Sequence, residues 1–326
     1  MNGARDRGHR LLAALAGLTG RSCHELVALA RGLDVDPTPA ESQASTLNND
    51  GYPLQLSVGL SSGGRSFRLV GDPAADDPSP QRRLERGRRV VAHWLAGRDD
   101  GRFGRQAELL FDHQLPATAA DLAALRSGAL WLATDLDRRG LGLYLSGRWG
   151  SNVGRWRRVR RWLRAAGVES PASLLHRVER VGRLASVGLE GVPGGELRLK
   201  VYWRMVGACR LDELLIPVLS DGPQRAFLET LLADGSIRRS GLLLCLSVSP
   251  GGSEWVDGKI DLCAHCMPAT AERWSARLAA LSDRLGLVES GLSSVLASGA
   301  AEVAFVGHGL SQSGDSRLNV YLKAAA

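Results

Sequence analysis

Arg198, Lys200, Tyr202 and Arg204 alternate along LRLKVYWRM (197–205). In an extended strand they share one face, and Leu199, Val201 and Trp203 share the other. The same spacing recurs at Lys259, Asp261, Cys263 and His265, and again at Arg317, Asn319, Tyr321 and Lys323. Such a set suits a diphosphate. Arginine gives bidentate hydrogen bonds, lysine a point charge and tyrosine a neutral donor. Tyrosine and tryptophan faces can also shield a carbocation, at about 0.5–2 kcal/mol per ring. The chain has no GxxxxGK[ST] loop and no DDxxD motif; Asp76–Asp77 and Asp99–Asp100 stand in loop-like Pro/Gly contexts. Side chains would then neutralise the diphosphate themselves, with no cofactor required and Mg2+ tolerated but not essential.

The elements that carry these residues repeat. Segments 54–70, 184–205, 242–266 and 301–324 are each an apolar strand, a Gly/Ser-rich turn and an alternating strand, and 129–147 is a weaker copy. Between them lie helical patterns at 79–97, 117–128, 151–167, 170–182, 209–220, 223–235, 270–287 and 292–299. Thr118 and Asp121 form a capping-box start for the second of these. The order is ββαα, repeated. Ten antiparallel strands can close into a barrel, which removes the sheet edges and is wide enough to hold a ligand. Helices need an apolar sheet face to pack on, so the charged faces turn inward, where burial requires water or a ligand. The fold expected is α+β: a ten-stranded antiparallel barrel of ββαα repeats over residues 45–326, helices outside and a ligand tunnel inside. Residues 1–44 form a helical lead-in.

Composition agrees with an anionic partner. The 326 residues carry a formal net charge of +7, with 44% hydrophobic residues and 5% aromatic ones. Five cysteines, odd in number and irregularly spaced, read as reduced thiols of a cytoplasmic protein. No apolar run approaches a membrane span. RDRGHRLLAALAGL mimics a signal peptide, but its apolar part is short, and it reads as an amphipathic helix.

With these motifs in order, the chain resembles the ABBA aromatic prenyltransferases, nearest to the dimethylallyltryptophan synthase branch, over residues 45–324. DGYPLQLS (50–57) is similar to that family's strand-one motif. Arg68 in FRLVGDP sits at its diphosphate-binding arginine, and RLKVY (198–202) matches its R-x-K-x-Y strand at all three positions. RLNVY (317–321) matches its last strand with Asn319 in place of a basic residue, and Tyr144 in GLY keeps the tyrosine of a K-x-Y whose lysine is missing. The resemblance implies a barrel that transfers an allylic group, dimethylallyl or geranyl, to an electron-rich aromatic acceptor. That acceptor is an indole or phenol, as a free amino acid, a natural product or a side chain of a peptide, since the cyanobactin peptide prenyltransferases share the fold. It implies diphosphate binding by Arg68, Arg198, Lys200, Tyr202, Lys259, Arg317 and Tyr321. The acceptor and prenyl pocket would be lined by Tyr144, His265 and His308. The family's strand-one Glu is Gln55 here. Glutamine can orient an acceptor but is a very poor base, so either the acceptor is not an indole N–H or another carboxylate takes the proton: Asp261, Asp135 or Glu190, Asp261 first because it lies on the lined face. A salt bridge from Asp261 to Lys259 or Lys200 is the plainer role for that residue.

Three further signals compete with this reading. Arg148, Arg155, Arg157, Arg158, Arg160, Arg161 and Arg164 occur in 148–167 without an acid, interleaved with Trp149, Trp156 and Trp162. Helix 151–165 could bind nucleic acid or an acidic peptide as a non-enzymatic scaffold. Alternatively Trp156, Val159, Trp162 and Leu163 face the sheet and the arginines face water. CAHC (263–266) lacks the second pair that a zinc site needs. GHGLSQSG (307–314) reads as a hairpin turn rather than a phosphate loop, and His308 as a pocket wall or a satisfied core histidine.

Overall fold

Strand β1 (Leu54–Ser61) buries Leu54, Leu56, Val58 and Leu60 on one face and turns Gln55, Ser57 and Gly59 to the other. That division continues around the sheet. The structure is a computed structural model that describes residues 3–38, 45–96, 101–123, 125, 128–136, 140–169, 175, 178–180, 182–192, 195–205, 222–232, 241–287 and 291–325. The remaining strands are β2 (Gly64–Gly71), β3 (Leu130–Asp135), β4 (Leu141–Ser146), β5 (Gly182–Gly191) and β6 (Leu197–Met205). They continue as β7 (Leu242–Val248), β8 (Trp255–Cys263), β9 (Ala301–Ser311) and β10 (Ser316–Ala324). All pairs are antiparallel, and the sheet closes as a ten-stranded barrel when β10 pairs with β1, with Leu56 opposite Leu322. Closure leaves no free strand edge.

Helices surround this barrel as the repeat requires. α1 (Gly3–Thr19) and α2 (Cys23–Gly32) precede β1. α3 (Pro80–Leu95), α4 (Arg102–Gln114) and α5 (Ala119–Ala123) follow β2, and α6 (Asn152–Ala165) follows β4. α7 (Gly222–Leu232) precedes β7, and α8 (Ala271–Arg284) and α9 (Leu292–Ala297) precede β9. Their starts are set by local chemistry. Ser22 and Glu25 form a full capping box on α2, Ser79 caps α3 ahead of Pro80, and Ser151 and Thr270 cap α6 and α8.

The sequence reading errs in the first repeat. α4 has no counterpart in it, although Phe103, Ala107, Leu110 and Phe111 are spaced as one helical face and are buried. The helix expected over 117–128 is only the short α5, with Thr118 donating to Asp121 and accepting from its backbone N–H. The helix expected at 209–220 lies outside the described residues, as do most of 170–182 and the Asp99–Asp100 pair.

The apolar core lies between the outer barrel face and the helices. Leu199, Val201 and Trp203 of β6 and Leu244 and Leu246 of β7 meet helix residues such as Trp156, Trp162 and Phe227. Leu11, Leu15 and Leu26 of α1 and α2 join the same core. α6 turns Trp156, Val159, Trp162 and Leu163 inward while Arg157, Arg161 and Arg164 are exposed. No helix among the described residues is long and apolar enough to cross a membrane.

Candidate active site in the barrel lumen

The inner face of the barrel encloses a cavity of about 790 Å³. Inward alternation brings Gln55, Arg68, Tyr144, Arg198, Lys200, Tyr202, Lys259, Asp261, Arg317 and Tyr321 to its wall, ten of the twelve residues singled out from the sequence. Cross-strand register groups them. Tyr202 is opposite Cys245, Cys245 opposite Lys259, Lys259 opposite Gly309 and Gly309 opposite Arg317, so these side chains occupy one oblique row.

Carboxylates are interleaved with the cations. Arg68 lies 2.8 Å from both Asp135 and Glu190, and Lys200 lies 2.7 Å from Glu190. Arg198 and Arg317 share Asp257 at 2.9 and 3.2 Å, and Lys259 pairs with Asp261 at 2.7 Å. Five cations thus face four carboxylates. Burial opposes ionisation of Glu190, yet Arg68 and then Lys200 hold its carboxyl well below the usual range. Asp257 is likewise held low against its burial by Lys200, Arg317 and the Ser247 hydroxyl, which donates at 2.6 Å. Burial works against the Lys259 ammonium, but Asp261 and Tyr321 raise its pKa.

Three tyrosines complete the ring. Tyr144 donates to Glu190, Lys259 donates to Tyr321, and Tyr144 meets Tyr202 edge-on at 6.2 Å between centroids. The Lys259 ammonium also lies 4.7 Å from the Tyr321 ring centre. Burial pushes the Tyr144 and Tyr202 phenols well up, so both stay neutral donors. Glycines make the room. A Cβ at Gly307 would stand 1.9 Å from Asp261 Oδ1, and one at Gly188 would stand 2.5 Å from the Tyr144 ring. The Gly-rich run of β9 is therefore a cradle for the side chains opposite it.

Gln55 is held by a chain of hydrogen bonds that fixes its orientation. Asn48 Nδ2 donates to the carbonyls of Tyr52 and Leu54, which turns Asn48 Oδ1 toward Gln55. Gln55 Nε2 then donates to Asn48 Oδ1 at 2.6 Å and to the Leu47 carbonyl at 3.1 Å. Both amide hydrogens are used, so what Gln55 can offer a ligand is its acceptor oxygen, Oε1.

Two residues expected at the cavity are not there. β8 ends at Cys263 and the chain turns into a short 3-10 segment, Ala264–Cys266, so the period-two alternation stops and His265 is exposed outside the lumen. His308 has the opposite parity to Phe305, Gly307 and Gly309. It sits on the outer face, fully buried, stacked on Phe227 at 5.5 Å and 2.6 Å from the Ser316 hydroxyl. Asp257 precedes a glycine and reads as turn in the sequence, although it has the parity of Lys259 and Asp261. The plainer role for Asp261, a salt bridge to Lys259, is present.

No protein-family model matches the chain, and no curated protein matches it by sequence. Solved structures do match in shape. 5-Dimethylallyltryptophan synthase from Streptomyces coelicolor, in complex with DMASPP and Trp, superposes with a TM-score of 0.80 at 19% identity, covering 97% of this chain and 93% of that one. 6-Dimethylallyltryptophan synthase from Micromonospora olivasterospora, in complex with DMASPP and Trp, gives 0.81 at 20% identity, covering 98% and 97%. The prenyltransferase PriB, with L-tryptophan and dimethylallyl thiolodiphosphate, gives 0.77 at 17% identity, covering 98% and 96%. The chain shares the closed-barrel fold of these proteins over nearly its whole length.

Proposed function

We propose that this barrel is a prenyltransferase that moves an allylic group, dimethylallyl first, from its diphosphate to an electron-rich aromatic acceptor. The observation that carries the proposal is the ring of Arg68, Arg198, Lys200, Lys259 and Arg317 with Tyr144, Tyr202 and Tyr321 inside one closed lumen. Fold neighbours that hold a dimethylallyl diphosphate analogue and tryptophan support it. The diphosphate takes the cations over from their carboxylates. The C1–O bond breaks, its electron pair leaves with the diphosphate, and the allyl cation lies among the tyrosine faces. The acceptor ring attacks C1, forming the new C–C bond, and the ring proton passes to a carboxylate, for which Asp261 is our choice. Gln55 Oε1 accepts a hydrogen bond from the acceptor N–H or O–H and does not remove the proton. We take the donor site to work with Mg2+ optional, and the protein to act in the cytoplasm as one barrel domain (45–326) behind its helical lead-in (1–44).

Incubation with dimethylallyl and geranyl diphosphates against a panel of aromatic amino acids, phenols and peptides, read by mass, tests this. A mass gain equal to the prenyl group is expected, and Lys200→Ala abolishes it. A folded protein that yields no adduct with any pair overturns the proposal.

A further inference from the structure

The strand-end rim of the barrel, opposite the hairpin turns, is crowded with arginine. Arg183 and Arg204 are directly opposite on β5 and β6, an arrangement that sets like charges side by side. Arg148, just past the end of β4, is exposed and lines the same cavity as Arg204. This is a different end of the lumen from Arg198 and Arg317, which stand beside the turns.

The charge continues outward. Arg155 donates to the carbonyls of Arg148 and Trp149, and Arg158 donates to Trp149 and stacks on its ring at 3.5 Å, which fixes α6 against the rim. The first turn of α6 also touches the start of β5, where Asn152 and Trp156 both donate to the Gly182 carbonyl. From there Arg157, Arg161 and Arg164 run along the exposed helix face at i, i+4 and i+7, about 10 Å of axis. No salt bridge to these three is found among the described residues. Val153, 57% exposed, adds an apolar contact in the first turn.

We infer that this rim and helix form a docking track for an acidic peptide, whose aromatic residue enters the lumen past Arg148 and Arg204 while its carboxylates lie along Arg157, Arg161 and Arg164. The inference rests on the prenyl-transfer reading for what happens to that aromatic residue. Continuity with the cavity favours a peptide over a nucleic acid, since the track leads into the lumen where the acceptor ring is proposed to react. The outer pair, Arg157 and Arg164, is spaced like acidic residues about three positions apart in an extended strand.

Binding of a fluorescein-labelled peptide, one tryptophan followed by a run of Asp and Glu, is followed by anisotropy beside its Asn/Gln counterpart. The acidic peptide is expected to bind about 10-fold more tightly in low salt, with most of that margin gone by about 0.3 M NaCl. The triple variant Arg157→Glu, Arg161→Glu, Arg164→Glu should lose at least about 10-fold in acidic-peptide affinity, with its melting temperature and its binding of dimethylallyl thiolodiphosphate unchanged. Equal affinity for the two peptides, indifference to charge reversal, or tighter binding of an oligoribonucleotide of equal charge overturns the inference. Acidic-peptide binding without any prenyl adduct strikes the prenyl-transfer reading instead. Adducts formed as readily on free tryptophan and the neutral peptide strike this one.

Discussion

The Lys200 ammonium lies 2.7 Å from a carboxylate oxygen of Glu190, deep in the lumen, with Arg68 at 2.8 Å from the other oxygen. The cations proposed to bind diphosphate are thus already neutralised, and a donor must displace a resident carboxylate to reach them. Desolvating such a pair costs much of what its attraction returns.

Glu190→Gln removes the competitor. Affinity for dimethylallyl thiolodiphosphate should rise by about 10-fold, or 1.4 kcal/mol, by titration calorimetry. The same variant should lose about 1–3 kcal/mol of stability, because Lys200 is left 7% exposed without its partner. Weaker donor binding would show that Glu190 instead orients the cations.

Gln55→Glu places a carboxylate against two acceptors, Asn48 Oδ1 and the Leu47 carbonyl. Asn48 cannot flip to relieve this without losing its bonds to Tyr52 and Leu54. The variant should lose about 1–3 kcal/mol of stability near neutral pH, read by melting, and recover in acid, where a protonated carboxyl can again donate to Asn48. Unchanged melting across pH would mean the Asn48 chain does not hold Gln55.

Gly307→Ala drives a Cβ into Asp261 and to within 2.7 Å of the Lys259 stem. Both side chains cross that Cβ position, so the pair must shift from its place on the cavity wall. We expect prenyl transfer to fall by at least about 10-fold while Gly17→Ala, on the exposed face of α1 with nothing near its Cβ, leaves it intact. Comparable kcat/KM for Gly307→Ala and the native chain would remove the Lys259–Asp261 pair from the site.

His308 gives the fold an acid limit. Burial, then Arg317, lowers its pKa from 6.5 to about 4, so the folded state favours the neutral ring. The unfolded chain takes up a proton first as pH falls. Stability is therefore full above about 6.5 and declines toward pH 4, by about 3 kcal/mol at most. Glu190 and Asp257, whose carboxyls are held low, add their loss only below the ordinary carboxylate range. Melting curves from pH 7 to 4.5 should be flatter for His308→Gln than for the native chain, and equal slopes would refute the assignment.

The sequence carried the barrel because period-two alternation with opposite chemistry on the two faces survives at single-strand resolution. Arg198, Lys200 and Tyr202 could be placed for that reason. Where alternation stops or shifts, it misleads. His265 lies two residues past the end of β8, and His308 is polar on the apolar face. The pairing of Lys200 with Glu190 is not legible in the sequence, because it runs diagonally across the hairpin: Glu190 is opposite Arg198 and Lys200 opposite Gly188, so side-chain direction rather than facing register makes the ion pair. So was the Asn48 chain, which depends on how a loop folds over β1.

Closure through β1 and β10 also sets when the site comes into being. The lumen does not exist until the strand furthest along the chain pairs with the first one, so a growing polypeptide carries the charged face open to water through most of its synthesis. Such non-local pairing is slow and leaves edges bare in the meantime. The arginines, lysines and carboxylates of the lumen wall keep that unfinished sheet hydrated on its inner side, so the residues proposed to bind the donor also favour solubility during assembly.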